Sequence, residues 1–180
     1  MNKIKIYLIR IYRLLLNYEK QEEVIWKDIK KLHADCGWRS GVYENDKYIE
    51  TVFEISKETP VVFHYIVGKY SFHCSVKILE NYPLDLTTDF FILATHFNNV
   101  LSDGVVIVNV NNHYIEYHHK VNLLLPLLYR NEIYSQIIRH YDTARDIYEA
   151  FQRLINENES PAIIIADILN RNNNQEKKDK

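Results

Sequence analysis

The stretch from Leu84 to Ile155 constrains the fold more than any other, because its hydrophobic period switches from helical to strand-like and back. Phe90, Phe91, Ala94, Phe97 and Leu101 fall on one helical stripe. Asp85, Thr87 and Thr88 precede it, with oxygens able to accept from unpaired backbone amides. Asn98-Asn99 and Ser102-Asp103-Gly104 close it, and Val105 to Val110 then reads as an apolar strand broken only by Asn109. Asn111-Asn112 tolerates hairpin turn conformations, and Tyr114, Glu116 and His118 alternate with Ile115, Tyr117 and His119 in a returning strand. After Pro126, Ile133, Ile137, Ala144, Ile147, Phe151 and Ile155 predict a long helix over 131–156. A block of this kind is held by packing and backbone pairing, and it offers no evident place for chemistry.

Upstream, residues 3–32 read as a helix with Ile4, Leu8, Ile11, Leu15 and Tyr18 on one face and Lys3, Arg10, Arg13, Asn17 and Lys20 on the other. The expectation is that the apolar stripe docks on the protein's own sheet or on a partner subunit while the basic residues stay solvated. The alternative is contact with an anionic membrane surface, against which Glu19, Glu22, Glu23 and Asp28 cancel the positive charge. Gly37 can end the helix. Trp38 to Glu54 reads as a partly exposed strand. Pro60 opens a pair: Val61 to Val67, a reversal at Gly68-Lys69, then Tyr70, Phe72, Cys74, Val76 and Ile78 in alternation. Ser160-Pro161 starts a short helix through Leu169, and the wholly polar residues 170–180 are expected to be disordered. The expected fold is a single α+β domain, an antiparallel sheet flanked by helices in the order α-β-β-β-α-β-β-α. Its parts are an N-terminal amphipathic helix (1–37), the α+β domain (38–169) and a tail (170–180).

Composition excludes several classes. A net charge of -2 supplies no field to attract nucleic acid. Cys36 and Cys74 do not make a disulfide framework and read as reduced thiols, though one bridge between them stays open. Arg10 and Arg13 interrupt the N-terminal apolar run, and Tyr18-Glu19-Lys20-Gln21 stands where a leader needs small residues, so a cytoplasmic protein is expected. His118 and His119 are adjacent on a strand and point to opposite faces. His64 and His73 could meet across the Gly68-Lys69 turn, but no compact Cys/His set meets the needs of zinc. There is no Gly-x-Ser-x-Gly turn and no phosphate-cradling glycine loop. No enzyme, metal or cofactor is expected.

The run Phe91-Ile92-Leu93-Ala94-Thr95-His96-Phe97-Asn98-Asn99-Val100-Leu101, followed by Gly104, resembles the YbjN family of proposed bacterial sensory transduction regulators, which have a type III secretion chaperone-like fold. Members show a helix ending in asparagine near N-x-x-L-x-x-G, a strand, a turn and a second strand ending in aromatic and polar residues. Tyr114 to His119 is similar to that second strand, and Ser160-Pro161 to the ending many members have. The likeness spans about Trp38 to Leu169. It departs at Asn111-Asn112-His113, where a glycine-containing turn is common. The resemblance implies neither cofactor nor active-site residues; fold relatives act as small dimeric chaperones or adaptors.

Fourteen tyrosines fit an interaction surface, or equally the composition of an AT-rich genome. The candidate partner-binding residues are Tyr114, Glu116 and His118, read as exposed strand positions, with Tyr65 and Phe72 nearby. An extended peptide could add to a free sheet edge there. The expected function is therefore non-enzymatic binding of a segment of another protein, by a chaperone-like adaptor or regulator that forms a homodimer. A dedicated secretion chaperone and a membrane-peripheral protein are the alternatives.

Overall fold

A computed structural model of the chain describes residues 3–57, 59–68, 71–122 and 130–178. Helices α1 (Lys3–Leu14) and α2 (Tyr18–Cys36) precede strands β1 (Ser40–Tyr43), β2 (Tyr48–Ser56), β3 (Thr59–Gly68) and β4 (Ser71–Glu80). A short 3-10 turn at Leu84–Leu86 leads into α3 (Thr87–Val100), then β5 (Val105–Asn109), β6 (Tyr114–Asn122), α4 (Arg130–Glu157) and α5 (Pro161–Lys178). The six strands form one antiparallel sheet in the order β1-β2-β3-β4-β6-β5. Two compact units share these elements. One comprises Met1–Phe53, Val62–Ser75 and His119–His140; the other comprises Glu54–Val61, Val76–His118 and Tyr141–Lys180.

The α+β class holds, with differences at both ends. The expected first helix is two helices, because the Asn17 side chain accepts from the Lys20 amide at 3.0 Å and starts α2 afresh. Gln21 donates to the Arg13 and Leu16 carbonyls, both at 3.0 Å, which satisfies the end of α1. Gly37 (φ 65°) closes α2, with Gly37 N–H on Ala34 O and Trp38 N–H on His33 O. The region 38–54 holds two strands instead of one, β1 against β2 in the register Ser40↔Thr51 to Tyr43↔Tyr48. Helix α5 runs on to Lys178 where disorder was expected. The predicted reversal at Lys69, the predicted strand start at Tyr70 and Pro126 lie outside the described residues.

In the first unit, α2 buries Ile25, Trp26, Ile29, Leu32 and His33, and the strands contribute Ile49, Phe63, Tyr65, Phe72 and Cys74. Tyr65 stacks on Phe72 at 5.6 Å, and His140 of α4 stacks on both at about 6 Å. In the second unit, Phe90, Leu93 and Phe97 of α3 meet Phe151 of α4, with ring centroids 5.3 Å apart for Phe90 and 6.4 Å for Phe97.

The connection from α3 to β5 is the most tightly determined part of the second unit. Asn98 donates from Nδ2 to Val106 O at 3.0 Å and accepts from Val106 N at 2.7 Å, so one side chain fills both polar groups of a strand residue. Tyr117 Oη donates to Asp103 O at 3.2 Å across the same turn. Gly104 sits at φ 87°, and a Cβ there would lie 2.5 Å from Tyr117 Cε2 and 2.6 Å from His118 O. In the β5–β6 turn, Asn109 Oδ1 accepts from Asn112 N at 3.0 Å, and the left-handed residue is His113 (φ 50°), neither of the asparagines expected to take it.

Gly104→Ala should therefore lower the urea midpoint by the equivalent of about 2 kcal/mol or more, through backbone strain and the clash with Tyr117. Asn98→Ala should cost about 1–3 kcal/mol, because two backbone groups lose their partner. Midpoints within error of wild type would show that the clamp does not hold the turn.

Candidate interaction surface

Strand periodicity sorts the predicted site residues onto two faces. Tyr65 and Phe72 are fully buried in the first unit, where they stack against His140. This corrects their expected surface position: on β3 and β4 they share the phase of Phe63 and Cys74, which face the helices. Tyr114, Glu116 and His118 are half-buried, on the opposite side of β6 from Ile115, Tyr117 and His119.

Register brings residues of β5 beside them. Val105 pairs with His118, Ile107 with Glu116 and Asn109 with Tyr114, so these side chains share one face. Val105 and Ile107 are 40% and 39% exposed. Glu116 Oε2 lies 3.0 Å from His118 Nε2, and Lys77 Nζ sits 4.7 Å over the Tyr114 ring. The result is an open strand face in the second unit, with two β-branched side chains set among charged and aromatic ones. Sequence reading missed Val105, Ile107 and Lys77. An unbroken apolar run reads as a strand buried on both sides, and only the edge position of β5 exposes alternate residues.

The edge itself also differs from expectation. β6 lies between β4 and β5, so its backbone is not a free edge. The outer strand, β5, has both polar groups of Val106 occupied by Asn98. Strand addition by a peptide is blocked at that residue.

A second face stands out in the first unit. In α1, Ile4, Tyr7, Leu8, Ile11 and Tyr12 are 54–66% exposed, and Leu15 just beyond it is 80% exposed. Arg10 and Arg13 turn inward instead, to Glu132 and Asp28. The stripe is therefore not docked on the protein's own sheet, one of the two expected positions, and the arginines are paired where they were expected to be solvated. Two half-buried carboxylate partners hold the arginines where an apolar contact was expected.

The remaining clusters are structural in character. A groove of about 620 Å³ in the second unit is lined in part by Arg153 and Arg171. Arg153 is bound to Glu159 at 2.7 Å and Asp167 at 2.8 Å, and Arg171 to Glu149 at 3.3 Å, so the groove presents no uncompensated cationic cradle. Tyr48 Oη donates to Glu50 at 2.6 Å and contacts His64, with Tyr43 Oη on the other Glu50 oxygen at 3.1 Å. Among the described residues no group of three His, Cys, Asp or Glu could hold a metal ion. Cys36 is exposed and Cys74 buried, and both are free thiols. No helix of the described residues is long and apolar enough to cross a membrane.

These features define a class: an α+β protein built on a six-stranded antiparallel sheet whose second unit leaves one strand face open. Its particular likeness is to the crystal structure of YbjN from E. coli, a proposed transcription regulator, with a TM-score of 0.52 over 69% of this chain and 90% of that one. At 9% identity the two share a fold. No protein-family model and no curated protein matches the chain.

His119 and His140 touch through Nδ1 and Nε2 inside the first unit. Burial, followed by the charges of His119, Arg139 and His73, pushes His140 down to about 3. The unfolded imidazole titrates near 6.5. Between these values the unfolded chain binds a proton that the folded chain refuses, so stability should fall as pH drops from about 6.5 toward 3. Thermal melts from pH 7.5 to 4.5 should show a shallower decline for His140→Phe than for wild type. Parallel slopes would show that His140 is not the group concerned.

Proposed function

We propose that the protein is a non-enzymatic regulator or adaptor that holds a segment of another protein against the open face formed by Val105, Ile107, Tyr114, Glu116 and His118. The observation that carries this reading is the exposure of Val105 and Ile107 beside that polar and aromatic row. Two β-branched side chains supply apolar area, worth about 25 cal/mol per Å² removed from water. Tyr114 adds a rigid amphipathic surface of the kind enriched at binding hot spots. Lys77, Glu116 and His118 offer both a cation and an anion, which suits a segment with apolar residues flanked by mixed charge. The likeness in fold to a proposed transcription regulator supports a role of this type. The occupied Val106 backbone favours docking on side chains over addition of a strand.

Pull-down from native cells should retrieve a partner whose binding segment, made as a peptide, titrates against the whole protein. Ile107→Glu should weaken that peptide by about tenfold or more, while Ile163→Glu, at a residue 55% exposed on α5, should leave it unchanged. Equal affinity for wild type and Ile107→Glu would overturn the assignment of this face.

A further inference from the structure

Helix α1 carries its amphipathicity inside out. At 100° per residue, Tyr7, Ile11, Ile4, Leu15, Leu8 and Tyr12 occupy one continuous arc, and Arg13 and Arg10 lie opposite. Glu132 and Asp28 draw the arginines toward the protein, which leaves the apolar arc facing out. Six large side chains, each at least half exposed, present on the order of 800 Å², above the ~300–600 Å² usual for the largest patch of a monomer.

The arc is symmetric in sequence about the midpoint between Ile9 and Arg10. Reversing the helix about that point places Ile4 where Leu15 stood, Tyr7 on Tyr12 and Leu8 on Ile11. An antiparallel copy of the same helix therefore meets aliphatic with aliphatic and tyrosine with tyrosine at each level. We propose that a second copy of this chain covers the stripe, through an isologous α1–α1 contact with its two-fold axis passing between Leu8 and Ile11.

Area and charge both support this occupant. A stable interface needs ~800 Å² from each partner, and the arc exposes an area of that order. It carries no charge of its own, so bringing two arcs together creates no like-charge repulsion. Lys5, at its margin, falls near residue 14 of the second copy, toward the end where Glu19 is exposed. A lipid surface would instead need several basic residues flanking the apolar arc; of the described side chains only Lys5 lies at its margin, while Arg10 and Arg13 lie on the far side, neutralised within the chain.

Sedimentation equilibrium of the full chain should give twice 21.6 kDa. Leu8→Glu should weaken association by about tenfold or more, since the carboxylate would sit unpaired at the axis. Leu8 is 61% exposed, so circular dichroism and the melting temperature of the monomer should be preserved. The double variant Leu8→Lys with Ile11→Glu should dimerise again, because each lysine then faces a glutamate of the other copy. A monomeric wild type overturns the proposal, as does a dimer indifferent to Leu8→Glu. Flotation of monomeric wild type with anionic vesicles, lost in Leu8→Glu, would overturn it in favour of a lipid occupant.

Discussion

One amide side chain holds the second unit to its topology. Asn98, at the end of α3, bonds both backbone groups of Val106 and so does what a neighbouring strand would do. The pairing fixes where the chain leaves the helix and which residues of β5 face inward. Gly104 permits the reversal between them, and Tyr117 packs against it with its hydroxyl on Asp103 O. If the clamp slipped by one residue, Val106 would exchange faces with Val105 and Ile107, since side chains on a strand alternate. The exposed pair on the open face thus depends on a contact made along the free edge of the strand. The same amide covers an edge that would otherwise invite pairing with another chain.

This also gives the N-x-x-L-x-x-G pattern at Asn98, Leu101 and Gly104 a physical meaning. Its asparagine is an acceptor and donor in one side chain, its leucine accompanies the helix end where Leu101 N bonds Phe97 O at 2.8 Å, and its glycine adopts a positive φ. The asparagine and the glycine are required by local geometry, whereas the bond at Leu101 is made by its backbone. The motif records how a helix turns into an edge strand, and it would serve any function that the fold supports.

Much of the fold was legible because periodicity reports burial. The α3 stripe, the alternation of β6 and the extent of α4 follow from apolar spacing over several turns or several residue pairs. The break at Asn17 was hidden, because the apolar spacing runs through it from Leu15 to Tyr18 while the capping bond depends on one side chain. The open strand face was only partly legible. Tyr114, Glu116 and His118 could be grouped by alternation, but Tyr65 and Phe72 alternate just as well, and only packing decides which phase is covered. The orientation of α1 was misread for a related reason. Hydrophobicity favoured an inward stripe, whereas Glu132, remote in sequence, and Asp28 direct the arginines inward.

The histidines show how the same sorting separates buried from half-buried imidazoles. His33 and His140 are buried against Tyr65, and desolvation lowers both, so they act as neutral rings in a packed core. His33 spends Nδ1 on the Ile29 carbonyl at 2.9 Å, and His140 is engaged by His119. His64 and His118 lie on the other strand phase, half-exposed, beside Glu50 and Glu116. A buried neutral imidazole cannot exchange its partner without opening the core. A half-exposed one facing a carboxylate, as His64 faces Glu50, holds that contact at little cost or gain, whereas His118 keeps its Nε2 covered against Glu116. These half-buried imidazoles thus lie on the open phase of the strands, and within the second unit that phase is also where Val105 and Ile107 emerge.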